Sequence, residues 1–187
     1  MKNTKHPPYL ESQSNAKQVG IALFDFETEY GRFPDATTAA KVKAVTGTPL
    51  ALGSGSSNQL FRQLIAQGLK SEKIFWAPTS YSPRKPDDLF VSDATALAPG
   101  ECGLTYVTGL SSTDDPRTPV LMTPVIRGTR TFDRKDFNGR AVVLFLDMSA
   151  RHFPIDKHGR VMIRGKDIFD PTQPYWRGKT PDIKWPE

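Results

Sequence analysis

The segment from Ser14 to Pro34, SNAKQVGIALFDFETEYGRFP, constrains the fold of this chain more than any other stretch. Four apolar residues in it recur at i, i+4, i+7 and i+11, which is the spacing of one face of an α-helix: Val19, Leu23, Phe26 and Tyr30. Gly31 and Pro34 favour an end to the helix directly after this stripe. Because Ile21 and Phe24 widen the stripe, we expect the helix to pack against a broad surface such as a sheet.

The same segment carries a resemblance. Its last part, FETEYGRFP from Phe26 to Pro34, resembles bacterial type IV pilins and type II secretion pseudopilins, in which the helix ends in a Y-x-x-D/E-x-G-x-Y/F-P phrase. The part from Ala16 to Leu23 is similar to the pilin-like proteins of verrucomicrobial and planctomycete genomes. The resemblance is specific in this segment and does not extend to particular motifs in the rest of the chain.

The resemblance implies a structural role. We expect a subunit of a type IV pilus-like or type II secretion pseudopilus filament, whose partners are other pilin-like subunits and the secretion or pilus assembly machinery. It implies a periplasmic or cell-surface location with an inner-membrane anchor in the full-length precursor. The resemblance makes the stripe residues candidates for the contact between subunits: Val19, Leu23, Phe26 and Tyr30.

The start of the chain departs from the family pattern. Family members begin with a basic leader and a run of about twenty apolar residues that anchors them in the membrane, whereas this chain begins MKNTKHPPYLESQSN. Two explanations remain open: the anchor lies in a segment absent from this chain, or a soluble protein shares the helix phrase. We expect residues 1–13 to be a disordered lead-in and residues 14–187 to form a single pilin-like α+β domain.

The remaining chain predicts short helices followed by antiparallel strands, hence an α+β fold in which the long helix packs on a small sheet. Its expected parts are the main helix at 14–34, a helical connecting region at 35–100, a sheet at 101–165 and a Pro/aromatic tail at 166–187 that lies on the body. The expected short helices are Ala36–Thr46 and Asn58–Gln67, and the expected strands are Leu104–Val107, Val120–Ile126, Ala141–Leu146, Ala150–Ile155 and Val161–Ile163. The last three form a meander, Ala141–Leu146 is central, and Pro124 favours an edge position or a bulge for its strand.

Composition limits the function classes. A chain of 187 residues with a net charge of +5 fits one domain with weak attraction to anionic surfaces. Its basic residues are scattered, whereas a nucleic-acid binder clusters them on one face, so we expect no specific nucleic-acid partner. The single cysteine, Cys102, excludes an intrachain disulfide, and we expect it to be buried and inert.

Candidate metal ligands are sparse. The three histidines, His6, His152 and His158, lack companions at ligand spacing. A partial calcium loop at Asp133, Asp136 and Asn138 lacks its closing glutamate. Major pseudopilins bind calcium in a late loop, but their ligand pattern is not reproduced here. We therefore expect neither a metal nor another cofactor.

Candidate catalytic residues are equally sparse. There is no Gly-x-Ser-x-Gly nucleophile motif, and the carboxylate pairs Asp87-Asp88 and Asp114-Asp115 are in polar loops where solvated charge is the ordinary role. We expect no catalytic activity. The alternative from a different class is a small secreted or periplasmic enzyme or ligand-binding domain, which a pocket with converging polar groups would distinguish.

Overall fold

The computed structural model of the protein describes residues 6–187 and confirms the α+β class. Within this range lie three α-helices: α1 Pro8–Tyr30, α2 Ala39–Thr46 and α3 Ser57–Gln67. They are followed by seven short strands: β1 Thr105–Thr108, β2 Pro119–Thr123, β3 Arg140–Phe145, β4 Ala150–Pro154, β5 Met162–Ile163, β6 Lys166–Asp167 and β7 Asp182–Lys184. No helix among the described residues combines the length and apolar character that crossing a membrane requires.

Helix α1 begins at Pro8, earlier than the sequence predicts. Pro8 occupies the first helical turn, where its fixed φ suits a helix and its missing N–H costs nothing. Tertiary contacts order this part, since Ser12 is buried and the Gln13 side-chain amide donates to the Ala150 carbonyl at 3.0 Å. The expectation of a disordered lead-in is therefore wrong for residues 8–13, and residues 1–5 lie outside the described part of the chain. The helix ends as expected, with Gly31 at φ 82° donating to the Glu27 carbonyl.

The main sheet has five strands in the order β4-β3-β2-β1-β7, and every neighbouring pair is antiparallel. Helix α1 packs across β3 and β4 on one face. The opposite face is covered by the segment that carries β5, β6 and a 3-10 turn at Pro174–Trp176. Because both faces are buried, β3 is a continuous apolar run rather than an alternating one.

Three predictions about the strands are wrong. The central strand is β2, and the apolar run that we expected at the centre is β3, one position away. Pro124 causes neither an edge nor a bulge, because β2 ends at Thr123 and the proline interrupts no ladder hydrogen bond. The register shift in β2 lies between Pro119 and Leu121. The expected third strand of the meander pairs instead with β6 as a separate two-stranded sheet.

The tail lies on the body, as predicted. Strand β7 pairs with β1 and completes the sheet at that edge. Tyr175 and Trp176 are buried, and both donate to the Ile168 carbonyl, at 3.0 and 2.8 Å. The burial of these aromatic side chains compensates for ordering a proline-rich segment.

Candidate functional site

The four stripe residues lie in the interior of the molecule. Val19, Leu23 and Phe26 have no exposed surface, and Tyr30 is 8% exposed. They belong to one buried cluster with Leu121 and Leu144 of the sheet and the aromatic residues of α3 and its neighbours. In this conformation they are inaccessible to another subunit, so their assignment as interface residues is wrong. Helical spacing identifies an apolar face, but the sheet of the same chain covers it.

The solvent side of α1 carries different apolar residues. Leu10 is 42% exposed and Ile21 is 62% exposed, although we expected Ile21 to belong to the packed stripe. Their separation is close to three helical turns of about 3.6 residues each, so both are on the same face. Beside Ile21 a depression of about 660 Å³ is lined by Ala22, Leu64, Leu69 and Ile74 among others. Leu10 and Ile21 thus give the solvent side of α1 an apolar character.

A second concave surface lies on the opposite side of the sheet. It has a volume of about 500 Å³ and is lined by four basic residues, Arg117, Arg151, Arg164 and Lys166, together with aromatic rings such as Phe153 and Tyr175. Arg117 is neutralised by Asp115, with 2.6 Å between Nη2 and Oδ2. This ion pair lowers the pKa of the Asp115 carboxyl to about 2. Among the described residues no carboxylate lies within ion-pair distance of Arg151 or Arg164, so the groove has positive character.

An acidic cluster lies between α3 and β1. Glu72, Asp87 and Glu101 each offer one carboxylate oxygen, and these oxygens lie within 4.8 Å of one another. Glu72 and Glu101 are buried, whereas Asp87 is exposed. Burial raises the pKa of Glu72 to about 7, against the effect of its backbone hydrogen bond and together with the repulsion from Glu101 and Asp87. Burial likewise raises the pKa of Glu101.

The backbone of the segment before β1 holds the two buried carboxylates side by side. The Leu97 N–H donates to Glu72 Oε1 at 2.7 Å, and the next amide, Ala98 N–H, donates to Glu101 Oε2 at 2.8 Å. Leu97 has a φ of 43°, a left-handed conformation that is uncommon for a residue with a side chain. Asp87 Oδ1 accepts from the Leu89 N–H at 2.9 Å, which fixes the third carboxylate at the surface.

Asp133 and Asp136 of the partial calcium loop accept hydrogen bonds from the connecting region. Asp133 Oδ2 accepts from the Tyr81 hydroxyl at 2.9 Å, and Asp136 Oδ2 accepts from the Ser80 amide at 3.2 Å. These bonds tie the loop to the connecting region. All three histidines are exposed, and among the described residues none of them belongs to a group of three or more metal-ligating side chains.

Cys102 is buried as predicted, and burial raises the pKa of its thiol to about 12. Of the carboxylate pair at Asp87-Asp88, only Asp87 has the predicted exposure, because Asp88 is half-buried and forms an ion pair with Lys73 at 3.1 Å. Sequence reasoning missed Glu72 and Glu101 altogether. Each stands alone in a loop, so no spacing pattern relates them to Asp87.

Comparisons of the chain with family models, curated proteins and solved structures find no match.

Proposed function

We propose that this chain is a structural subunit of a filament of the type IV pilus or type II secretion pseudopilus kind, which acts by packing against other pilin-like subunits. In this proposal the full-length precursor is anchored in the inner membrane by a segment absent from this chain. The described domain lies in the periplasm or at the cell surface, where it interacts with the secretion or pilus assembly machinery.

The observation that carries the proposal is the arrangement of the segment with the pilin-like phrase. Its residues up to Tyr30 belong to a helix of 23 residues that crosses the face of an antiparallel sheet. Directly after the helix, Phe33 is 1% exposed, and the Pro34 carbonyl accepts a hydrogen bond of 2.9 Å from the Tyr106 hydroxyl of β1. The residues that carry the resemblance thus make the junction between helix and sheet, which supports a pilin-like layout.

The contact surface in this proposal is the exposed face of α1 around Ile21, because the stripe residues are already buried. Subunits of a filament meet through two different surfaces in a head-to-tail contact that does not close. A photo-crosslinking amino acid at Ile21 in cells of the source organism should therefore capture a second copy or another pilin-like chain. The matched control is the same substitution at Val91, which is 78% exposed in a loop outside α1. Equal crosslinking at both positions would count against the proposal.

The coding sequence upstream of the first codon gives an independent test. A basic leader followed by about twenty apolar codons would support a membrane-inserted precursor. A stop codon or a polar reading frame there would contradict the filament proposal.

The basic groove favours a second candidate, a ligand-binding domain for an anionic small molecule or glycan. Three basic side chains without an ion-pair partner among the described residues converge on it: Arg151, Arg164 and Lys166. Binding of a sulfated oligosaccharide should weaken with salt and should be lost in the Arg151→Ala, Arg164→Ala double variant. The control is Arg130→Ala, outside the groove. Unchanged binding in the double variant would exclude the groove as the site.

A further inference from the structure

The acidic cluster of Glu72, Asp87 and Glu101 contains an atom whose bonding is incomplete. Glu72 has no exposed surface, and its Oε1 is held by the Leu97 N–H. Its other oxygen, Oε2, is also buried and has no hydrogen-bond partner among residues 6–187. A buried carboxylate oxygen without a partner is costly unless a proton or a cation compensates for its charge.

The protein cations near the cluster do not balance its charge. Arg84 approaches Glu101, with 3.5 Å between Nη2 and Oε1, but the Arg84 side chain is 58% exposed and the contact is long. Lys73 is occupied by the neighbouring Asp88. With three carboxylates and one partly exposed guanidinium, the cluster is an electronegative site of the type that binds cations.

The donor set indicates the class of ion. Only carboxylate oxygens converge, without a histidine or a thiolate, which suits hard divalent cations rather than Zn²⁺ or Cu²⁺. The oxygens lie within 4.8 Å of one another. Opposite ligands of one Ca²⁺ are separated by roughly twice its oxygen distance of about 2.4 Å, so a single ion can contact all three oxygens.

The positions of the carboxylates also provide access. Asp87 is exposed, so an ion and its remaining water ligands can enter from the solvent side. Glu72 and Glu101, on the buried side, are held in place by the consecutive amides of Leu97 and Ala98. Because two of the carboxylates are held in place and the third is exposed, the site needs little rearrangement to bind a cation.

We propose that Glu72, Asp87 and Glu101 bind one hard divalent cation of the size of Ca²⁺. The ion joins three segments between α3 and β1: the residue before the 3-10 turn at Lys73–Phe75, the loop that contains Asp87, and the turn before β1. It therefore stabilises the part of the chain between α3 and the sheet. The proposal does not depend on the filament proposal.

The test uses the full chain after removal of metal with a chelator. Adding CaCl2 should raise the Tm by several degrees in a saturable manner, whereas NaCl at matched ionic strength should not. Isothermal titration with CaCl2 should give about one ion per chain, with a Kd on the order of 10⁻⁵ to 10⁻³ M for such a site. Asp87→Asn should weaken binding at least about tenfold, because it removes one of three charged ligands.

Two further variants make the result decisive. Asp87 is exposed, so Asp87→Asn should fold normally, and Asp114→Asn in another polar loop should keep the full calcium response. Glu72→Gln should abolish the response. The proposal is overturned if CaCl2 has no saturable effect on the parent chain or if Asp87→Asn retains it. It is also overturned if the parent chain does not respond to calcium and Glu72→Gln has a higher Tm than the parent. In that case a shared proton, not a cation, compensates for the charge of Glu72.

Discussion

Single buried polar atoms fix the junction between the helix and the sheet. Tyr106 has no exposed surface, and its hydroxyl donates to the Pro34 carbonyl directly after the pilin-like phrase. Burial raises the pKa of this phenol, so the hydroxyl stays protonated and remains a donor. The hydrogen bond joins β1 to the segment that follows α1. These two parts of the chain are distant in sequence.

Tyr106→Phe should therefore lower the free energy of unfolding by about 1–2 kcal/mol, since it leaves a buried carbonyl without a partner. Urea unfolding at neutral pH measures the difference. The matched control is Tyr9→Phe, because Tyr9 is half-buried and its hydroxyl makes no hydrogen bond within the described part of the chain. A difference of less than about 0.5 kcal/mol between the two variants would mean that the Pro34 carbonyl finds another partner.

The ion pair in the basic groove predicts a pH dependence. The pKa of Asp115 in the folded protein is about 2, below its ordinary value of 3.8, because Arg117 binds the charged form. The stabilisation is thus fully present above about pH 4 and is lost as the pH falls through 2. Arg117 is half-exposed, so solvent screening limits the contribution to about 1 kcal/mol.

Asp115→Asn should accordingly destabilise the protein by up to about 1 kcal/mol at pH 7, and the difference from the parent should shrink between pH 4 and pH 2.5. Chemical unfolding curves at a series of pH values measure it. The control is Asp147→Asn, a carboxylate of the groove lining without an ion pair among the described residues. A difference that grows as the pH falls would contradict the assigned direction of the pKa shift.

At the scale of elements, local signals predicted the ends of helices better than their beginnings. Gly31, Gly47 and Gly68 follow the three helices as expected, and Ser56 caps α3. The start of α1 was not predicted, although Pro8 suits a first helical turn, because contacts with β4 also order residues 8–13. Likewise, the apolar run of β3 is recognisable in the sequence, but its position in the sheet is not, because that position depends on how distant strands pair.

The same limit applies to the candidate sites. The stripe of α1 was recognisable from helical spacing, but the sheet that covers it was not. The acidic cluster could not be predicted from the sequence, because Glu72, Asp87 and Glu101 come from three loops. Only the tertiary structure brings them together, so a motif search finds at most the isolated pair at Asp87-Asp88.

The cap of α3 also joins two elements. Ser56 Oγ accepts from the Gln59 N–H at 3.1 Å and lies 2.6 Å from Glu187 Oε1, to which it donates. Ser56→Ala should cost about 1 kcal/mol or somewhat more, because the helix loses its cap and the tail loses a contact. Ser54→Ala is the control, since it is in the preceding loop, and thermal unfolding measures both. Equal stability of the two variants would show that the cap is dispensable.

At the scale of the whole molecule, the tail closes the structure. Strand β7 covers the edge of β1, and the residues after it return to α3. The Ser57 N–H donates to the Trp185 carbonyl at 3.0 Å, and the Glu187 N–H donates to Asn58 Oδ1 at 2.9 Å. The last segment therefore links the sheet to α3.

Deletion of residues 182–187 should lower the free energy of unfolding by about 4 kcal/mol, since burying a side chain such as Ile183 contributes about 1.5–3 kcal/mol and the lost hydrogen bonds add to it. It should also speed amide hydrogen exchange in β1, whose edge becomes exposed. The control is the Asp182→Ala, Lys184→Ala double variant, which removes only a surface ion pair with 3.3 Å between its charged atoms and keeps the strand. If the deletion and the double variant were equally stable, β7 would not be an integral part of the sheet.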